Sequence, residues 1–255
     1  MFVKRYGDGP QRFLGLHGWN GTHRTFEPLT VFLPAEVSFF APDLPGCGRS
    51  APPVQWRLEA VASEIADLIT ELADSAITLV GNCSGGLLGL YAALRLEEAS
   101  GHCPINRAVI IDPLAYWPWY FRIFLSPSIG KYAYTSSFEN PLGRRLVNLF
   151  LAGKRKPETD LAAGFSSVSS RVTLAYLRIL NEIEGPERFS SLRFPIDIVY
   201  GERTFNSVRN SAGIFRRIWP QAQVTELPKA GHLPLVEAPE AVARVIMGRQ
   251  PCKKT

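Results

Sequence analysis

The chain has 255 residues, of which 46% are hydrophobic and 20% charged, and it carries a net charge of +5. These values describe an ordinary soluble globular protein, long enough for one α/β domain with an insertion and somewhat short for two independent domains. No run of about 18 apolar residues exists, which excludes stable insertion into a membrane.

Seven short apolar stretches bounded by turn residues are predicted as strands. They are Phe2–Tyr6, Arg12–Leu16, Val37–Ala41, Ile77–Val80, Ala108–Ile111, Ile196–Tyr200 and Gln223–Leu227. Stretches with apolar residues at helical spacing lie between most of these strands. They are Thr22–Phe32, Leu58–Leu72, Leu87–Leu96, Val208–Ile218 and Pro239–Met247. Strands that alternate with helices predict an α/β fold, with a mostly parallel sheet covered by helices on both faces.

The alternation stops between residues 113 and 194, where helical runs such as Leu142–Leu151 and Val172–Ile183 replace the strands. We interpret this stretch as a helical cap (113–194) inserted into a core made of 1–112 and 195–255. Its first part is rich in aromatic residues, which we expect to line a substrate pocket for an acyl or polyketide-like ligand. Two alternatives are that they only fill the contact with the core, or that they meet a membrane surface. These aromatic residues are Tyr116, Trp117, Trp119, Tyr120 and Phe121.

Nothing in the sequence indicates a cofactor, a metal site or a nucleic-acid partner. The basic residues are scattered and match no nucleic-acid-binding motif. Basic runs such as Lys154–Lys156 could meet an acidic partner, although a solvated face is the commoner arrangement. The first residues contain no apolar signal-peptide segment, so we expect a cytoplasmic protein with reduced thiols. The four cysteines lack metal-ligand spacing; they are Cys47, Cys83, Cys103 and Cys252.

The stretch Ile77–Leu88 joins an apolar strand to a helix through a tight turn, which is the setting of a nucleophile elbow. Such a turn requires small residues two positions before and two positions after the nucleophile, because the backbone there is strained and crowded. Centring the turn on Cys83 places Gly81 and Gly85 at these positions. Centring it on the adjacent Ser84 would place an asparagine at the first. The pattern therefore predicts Cys83 as the nucleophile, the alternative being a glycine turn with a packed cysteine.

Four motifs occur in a fixed order along the chain. They are His17-Gly18-Trp19, Asp43-Leu44-Pro45-Gly46, Gly81–Gly86 and Ala230-Gly231-His232. Their order resembles the α/β-hydrolase fold over Arg12–Asp112 and Pro195–Met247. The resemblance implies an oxyanion hole formed by the backbone N–H groups of Trp19 and Ser84, which would stabilise a tetrahedral oxyanion. It also implies that His232, in the loop after the last strand, is the general base that takes the proton of Cys83.

The acid of the triad departs from the commonest pattern of this fold. The usual position falls on Thr204, and a threonine cannot carry the negative charge that stabilises an imidazolium. Asp112, at the tip of the preceding core strand, is the predicted substitute, and the cap would then follow the Asp112 strand. Its alternative role is that of a turn residue before Pro113. Glu202 is the weaker candidate for the acid.

A cysteine nucleophile with its acid on this earlier strand resembles the Dieckmann cyclases that form tetramates and pyridones with a Cys–Asp–His triad. The resemblance implies that Cys83 accepts an acyl chain from the phosphopantetheine thioester of a carrier protein. A carbon nucleophile of the same chain would then close a 1,3-dicarbonyl ring. One alternative is a hydrolytic thioesterase or esterase, resembling dienelactone hydrolases, in which water reaches the same acyl-enzyme. Another is a ligand-binding protein without catalytic activity.

Overall fold

One twisted sheet organises the molecule. The computed structural model describes residues 1–116, 118, 121–157, 159 and 168–248. Within these residues seven strands pair in the order β1-β3-β2-β4-β5-β6-β7. Every neighbouring pair is parallel except β1 and β3. The strands are β1 Val3–Tyr6, β2 Gln11–Leu16, β3 Val37–Pro42, β4 Ile77–Asn82, β5 Ile105–Ile111, β6 Ile196–Gly201 and β7 Gln223–Leu227.

Helices cover both faces of the sheet and fill the interval between β5 and β6. The α-helices are α1 Leu58–Glu71, α2 Ser84–Ser100, α3 Arg122–Leu125, α4 Gly130–Tyr134, α5 Pro141–Phe150, α6 Ser170–Asn181, α7 Asn206–Ile218, α8 Pro234–Glu237 and α9 Pro239–Ile246. Short 3₁₀ helices occupy His23–Phe32, Ala152–Lys154 and Pro186–Ser191, and a π-helical turn occupies Thr135–Glu139. Among the described residues no helix is long and apolar enough to cross a bilayer.

Two apolar cores sandwich the sheet, because successive side chains of a strand point to opposite faces. On β5, Ala108 and Ile110 join the core under α1 and α2, while Val109 and Ile111 join the opposite core. The second core is closed by the His23–Phe32 helix and by α9. Since both faces are buried, the strands carry continuous apolar runs instead of alternating ones. The predicted α/β-hydrolase fold with a mostly parallel sheet is confirmed.

The described residues between β5 and β6 are largely helical, and they form a third apolar cluster against which Trp19 of the core packs. Tyr134 and Phe138 pack there with Leu174 and Leu177 of α6. The opposite side of α6 belongs to the core of the sheet, where the hydroxyl of Tyr176 donates to the Pro45 carbonyl at 2.9 Å. Helix α6 therefore belongs to the cap and to the core at once. The exact boundaries 113 and 194 remain a prediction.

Departures from the predicted elements are small and have local causes. The stretch Thr22–Phe32 forms a 3₁₀ helix from His23 instead of an α-helix, with Pro28 inside it. Proline lacks the N–H that a regular α-helix requires at that position. Helices α3, α4 and α8 were not predicted, since four or five residues are too few to establish a helical period.

Glycines pack closely where β4 meets α2, so a side chain added at one of them should destabilise the fold. A Cβ at Gly81 would lie 2.2 Å from the Cα of Gly86, whereas one at Gly213, exposed on α7, would meet nothing within 4 Å. We expect Gly81→Ala to lower the free energy of unfolding by about 3 kcal/mol, as overpacking does. Gly213→Ala should raise it by about 1 kcal/mol, because alanine has the higher helix propensity.

Urea unfolding monitored by circular dichroism measures both effects in the same protein. Equal midpoints for wild type and Gly81→Ala would show that β4 and α2 do not cross as tightly as described.

Candidate active site

The turn between β4 and α2 carries Cys83. This residue precedes the first turn of α2 with φ 50° and ψ −121°. Positive φ is uncommon outside glycine and stores strain. Two backbone hydrogen bonds stabilise this strained conformation. The N–H of Cys83 donates to the Ile111 carbonyl at 2.7 Å, and the N–H of Gly86 donates to the Cys83 carbonyl at 3.2 Å.

The two glycines that flank this turn have no room for a side chain. A Cβ at Gly85 would lie 2.2 Å from the Leu16 carbonyl oxygen, as tight as the contact at Gly81. The thiol of Cys83 lines a cavity, while Ser84 is buried in the first turn of α2 and does not line that cavity. The packing thus agrees with the argument that selected Cys83 over Ser84.

The loop after β7 brings His232 to the same place. Its Nδ1 lies 2.7 Å from Oδ2 of Asp112, and Cys83 lies beside the ring. Because Nδ1 is engaged by the carboxylate, Nε2 is the nitrogen left for the thiol. Phe205 packs edge-on against the imidazole, with the ring centroids 4.7 Å apart. The imidazole is therefore held from three sides.

Asp112 ends β5 next to the strand that carries Cys83. It is fully buried and has φ 46°, a left-handed conformation that aspartate tolerates better than most residues. Its Oδ1 accepts the N–H of Gly201 at 3.0 Å, and its Oδ2 accepts the hydroxyl of Thr204 at 2.5 Å in addition to His232. A buried carboxylate with three donors is well satisfied and fixed in orientation.

The structure separates the two candidate acids. Glu202 is exposed and accepts the N–H of Lys229 at 2.6 Å, so it is not engaged with His232. Thr204, at the usual position of the acid, is buried and lies 3.3 Å from Nδ1 of His232. Its hydroxyl serves as a donor to Asp112, a role that the sequence analysis did not assign.

The electrostatics favour a charged imidazole. Burial alone would lower the pKa of His232, but the hydrogen bonds and negative charges of Asp112 and Cys83 raise it from 6.5 to about 10. An imidazole of this basicity can take the proton of the thiol and hold it as an imidazolium beside the sulfur. His17, in contrast, is buried with Nε2 accepting the N–H of Leu44 at 3.0 Å, and burial lowers its pKa to about 4.

The two residues predicted to form the oxyanion hole, Trp19 and Ser84, lie close to Cys83 in the fold. A Cβ at Gly18 would lie 3.0 Å from the Cβ of Cys83, and Trp19 follows directly. Ser84 begins α2, where backbone N–H groups have no acceptor within the helix. The indole N–H of Trp19 donates to the Thr173 carbonyl at 3.0 Å. Its ring packs against Phe121, with the centroids 5.6 Å apart. The oxyanion role of the two N–H groups remains a prediction.

An apolar cavity of about 500 Å³ opens above Cys83 and His232. Among the described residues that line it, none is an aspartate, glutamate, lysine or arginine. Phe150 is 85% exposed and lies at the mouth of the cavity. The other lining residues are Trp19, Leu114, Phe121, Phe124, Ser137, Phe138, Val147, Leu151, Phe205 and Ser207. This surface suits a neutral apolar chain.

The five predicted cap aromatics have different outcomes. Phe121 lines the cavity. Tyr116 instead lies in a separate cleft with Leu180, where its hydroxyl accepts from the Asn210 amide at 3.4 Å. Leu114 lines both spaces and stands between them. Trp117, Trp119 and Tyr120 lie outside the described residues. Phe138, Phe150 and Phe205 were missed as lining residues, although Phe205 directly follows the position of the usual acid.

The contacts of Asp112 predict the effect of removing its charge. Asp112→Asn should lower turnover of an activated ester on the order of 10⁴-fold, as it does for the analogous aspartate of a serine protease. Thr204→Val should lower it roughly tenfold, because one hydrogen bond to a charged group is lost. Glu202→Gln is the matched control and should keep full activity. A loss with Glu202→Gln as large as that with Asp112→Asn would contradict the assignment.

The raised pKa of His232 predicts how stability depends on pH. A histidine with a higher pKa in the folded state than in the unfolded state stabilises the fold fully below about pH 6.5. That contribution should disappear as the pH rises to about 10. The difference in urea midpoint between wild type and His232→Gln should therefore shrink over this range. A difference that stays constant from pH 6 to pH 10 would argue against an imidazolium paired with Asp112.

Comparisons with known proteins agree with this geometry. The model of the alpha/beta hydrolase family matches residues 13–245. Lipase LipV of Mycobacterium tuberculosis is 34% identical over 114 residues, a match that spans 44% of this chain and 43% of the lipase. The pimeloyl-[acyl-carrier protein] methyl ester esterase of Salmonella paratyphi A is 24% identical, covering 97% of this chain and 96% of the esterase.

Among solved structures, a thermophilic esterase from Thermogutta terrifontis superposes with a TM-score of 0.71. Its sequence is 21% identical, and the superposition covers 96% of this chain and 91% of the esterase. At this identity the likeness shows the fold alone. The family model, in contrast, spans nearly the whole described chain, and the protein therefore belongs to the alpha/beta hydrolase family.

Proposed function

We propose that this protein hydrolyses the ester or thioester of an apolar acyl chain, with Cys83 as the nucleophile. The observation that carries the proposal is the position of His232, which is hydrogen-bonded to Asp112 and lines the same apolar cavity as Cys83. The full-length similarity to an esterase of acyl-carrier-protein esters supports a hydrolytic reaction. It also supports a carrier-bound acyl group as the substrate class.

The first half-reaction forms an acyl-enzyme. His232 takes the proton of Cys83, and the thiolate adds to the acyl carbonyl. The backbone N–H groups of Trp19 and Ser84 stabilise the resulting oxyanion. Collapse of the tetrahedral intermediate breaks the bond to the leaving oxygen or sulfur, which receives the proton from His232. The acyl chain is then held as a thioester on Cys83 while its apolar part occupies the cavity.

The second half-reaction releases the acid. His232 removes a proton from a water molecule, and the hydroxide adds to the thioester carbonyl. Collapse of this intermediate expels the thiolate of Cys83, which regains its proton from His232. Throughout the cycle Asp112 keeps its charge and stabilises the imidazolium. Atoms and charges balance, with one water consumed and one carboxylic acid released.

Cyclisation of the acyl chain is the second candidate. The cysteine in place of serine favours it, because an acyl thioester is more open than an oxoester to attack by a carbon nucleophile. In that reaction His232 would remove the proton between two carbonyls, and the carbanion would expel Cys83 and close a 1,3-dicarbonyl ring. The apolar lining would limit access of water. The relatives named above are a lipase and esterases, so hydrolysis ranks first and a Dieckmann cyclisation second.

Product analysis distinguishes the two candidates. With a pantetheine thioester of a medium-length fatty acid, wild type should release the free acid, and Cys83→Ala should reduce the rate to background. Cys103→Ala is the matched control, since this half-buried thiol lies outside the cavity, and it should keep the wild-type rate. Failure of wild type to hydrolyse any ester or thioester would overturn the hydrolytic proposal.

A pantetheine thioester of a β-ketoacyl amino acid tests the second candidate in the same assay. Free acid as the enzyme-dependent product supports hydrolysis. A cyclic 1,3-dicarbonyl formed faster than the uncatalysed background would instead establish cyclisation.

A further inference from the structure

The chain leaving α5 lies directly against the loop that carries the base. The N–H of His232 donates to the Lys154 carbonyl at 2.9 Å, and the ammonium of Lys154 donates to the Thr204 carbonyl at 3.1 Å. A Cβ at Gly231 would lie 2.1 Å from the Lys154 oxygen. The basic run Lys154–Lys156, expected to be a solvated face or a site for an acidic partner, therefore makes internal contacts. Residues 154–157 and 159 lie within the cap, where the chain leaves α5, and we call them the cap exit.

A single buried carboxylate joins the cap exit to residues 231–233, the segment that carries His232, which we call the base loop. Glu237 ends α8 and is 6% exposed. Its Oε1 accepts the N–H of Lys156 at 3.0 Å and the hydroxyl of Thr159 at 2.9 Å. Its Oε2 accepts the N–H of Gly231. The ammonium of Lys156 closes the arrangement by donating to the backbone carbonyl of Glu237 at 2.5 Å.

The donors of Glu237 come from two segments that are far apart in sequence. Burying a carboxylate is costly unless its oxygens are hydrogen-bonded. Here both oxygens are satisfied, one by the base loop and the other by the cap exit. Just before the base loop, the carbonyl of Ala230 accepts the N–H of Arg203 at 2.8 Å. This hydrogen bond anchors Ala230 to the turn after β6. The following residues, Gly231 and His232, have their backbone N–H groups held by Glu237 and by the cap exit.

We propose that Glu237 is a positioning residue, which holds the cap exit against the base loop and so keeps His232 in register with Cys83 and Asp112. The inference rests on the proposed function, in which His232 transfers protons. Glu237 does not line the cavity and would not touch substrate. Its effect on turnover would come from geometry, because a displacement of about 1 Å at a reacting group can lower a rate roughly 100-fold.

An isosteric substitution separates the carboxylate from the volume it fills. Glu237→Gln keeps the shape but replaces one acceptor oxygen by an NH₂ group. In one orientation the amide N–H groups face the Gly231 N–H, and in the other they face the Lys156 N–H. Either way a donor meets a donor, and one side of the junction opens. Glu240→Gln is the matched control, since Glu240 is an exposed acid three residues away on α9.

The primary readout is the alkylation of Cys83 by iodoacetamide, which requires no knowledge of the substrate. Burial raises the pKa of Cys47 to about 12 and also raises that of Cys103, so mass spectrometry of the peptide containing Cys83 reports the site itself. In wild type and Glu240→Gln, alkylation should already be fast at neutral pH, since His232 takes the proton. In Glu237→Gln we expect a rate at pH 7 roughly tenfold to 100-fold lower. The rate should recover toward pH 10.

Steady-state kinetics with an activated ester provides the second readout. Glu237→Gln should lower kcat by a similar factor and leave KM within about twofold, because the cavity that binds the acyl chain is unchanged. Thr159→Val keeps the carboxylate and removes one of its donors. It should therefore fold normally and show a smaller effect in the same direction. The double variant should show no further loss beyond Glu237→Gln, since both changes act through one junction.

Three outcomes would overturn the proposal. The first is that Glu237→Gln lowers stability but keeps the wild-type pH profile of Cys83 alkylation and the wild-type kcat. Glu237 would then be a purely structural residue. Another is a rise in KM with kcat unchanged. If Glu237→Gln does not fold, Thr159→Val with wild-type alkylation and kcat would count equally against it. Should wild type hydrolyse no ester while Glu237→Gln still slows alkylation, the proposed function fails and the positioning role stands.

Discussion

The carboxylate of Asp112 is the interaction on which the site depends. Its two oxygens accept hydrogen bonds from Gly201, Thr204 and His232, so one buried charge connects the end of β5, the turn after β6 and the loop after β7. The parallel strands bring these segments together, because their carboxyl ends lie along one edge of the sheet. The charge raises the pKa of His232, which lies beside Cys83.

The hydroxyl of Thr204 contacts Asp112 from the position where the resemblance places the usual acid. In this chain Thr204 keeps a hydrogen-bonding group where the family usually carries the carboxylate. A hydroxyl there can donate to Asp112 and also stay near Nδ1 of His232, which an apolar residue of the same size could not do. A threonine at this position therefore makes a polar contact with Asp112 without adding a second negative charge. Two carboxylates at this separation would repel each other.

Much of the fold and part of the site followed from local patterns in the sequence. The elbow was predictable because Gly81 and Gly85 are required by the backbone of one short turn. Asp112 was predictable because the end of a strand beside β4 must lie near Cys83. Thr204 as a donor and Glu237 as an anchor were not, since their partners lie 92 and 81 residues away and only the packed fold brings them together.

The residues that line the cavity could likewise be predicted from the sequence only in part. Phe121 was expected there from the aromatic run in which it lies, yet Tyr116 from that run faces another cleft. Most of the lining comes from residues such as Phe138, Phe150 and Phe205, which belong to separate helices or to the chain before them. An aromatic run indicates that a cap will bury apolar surface, but the fold decides which of its side chains meet the substrate.

The double membership of α6 has a consequence for how substrate reaches the thiol. One side of this helix belongs to the core that α1 and α2 also line, and the other side packs on Tyr134 and Phe138. If the cap opened as one rigid lid, α6 would have to leave the core and expose apolar surface that stabilises the whole domain. Helices α3 to α5, in contrast, contribute no residue to that core and pack on α6 through the cluster that contains Tyr134 and Phe138. An opening that leaves α6 in place would therefore expose less apolar surface than one that moves the whole insertion.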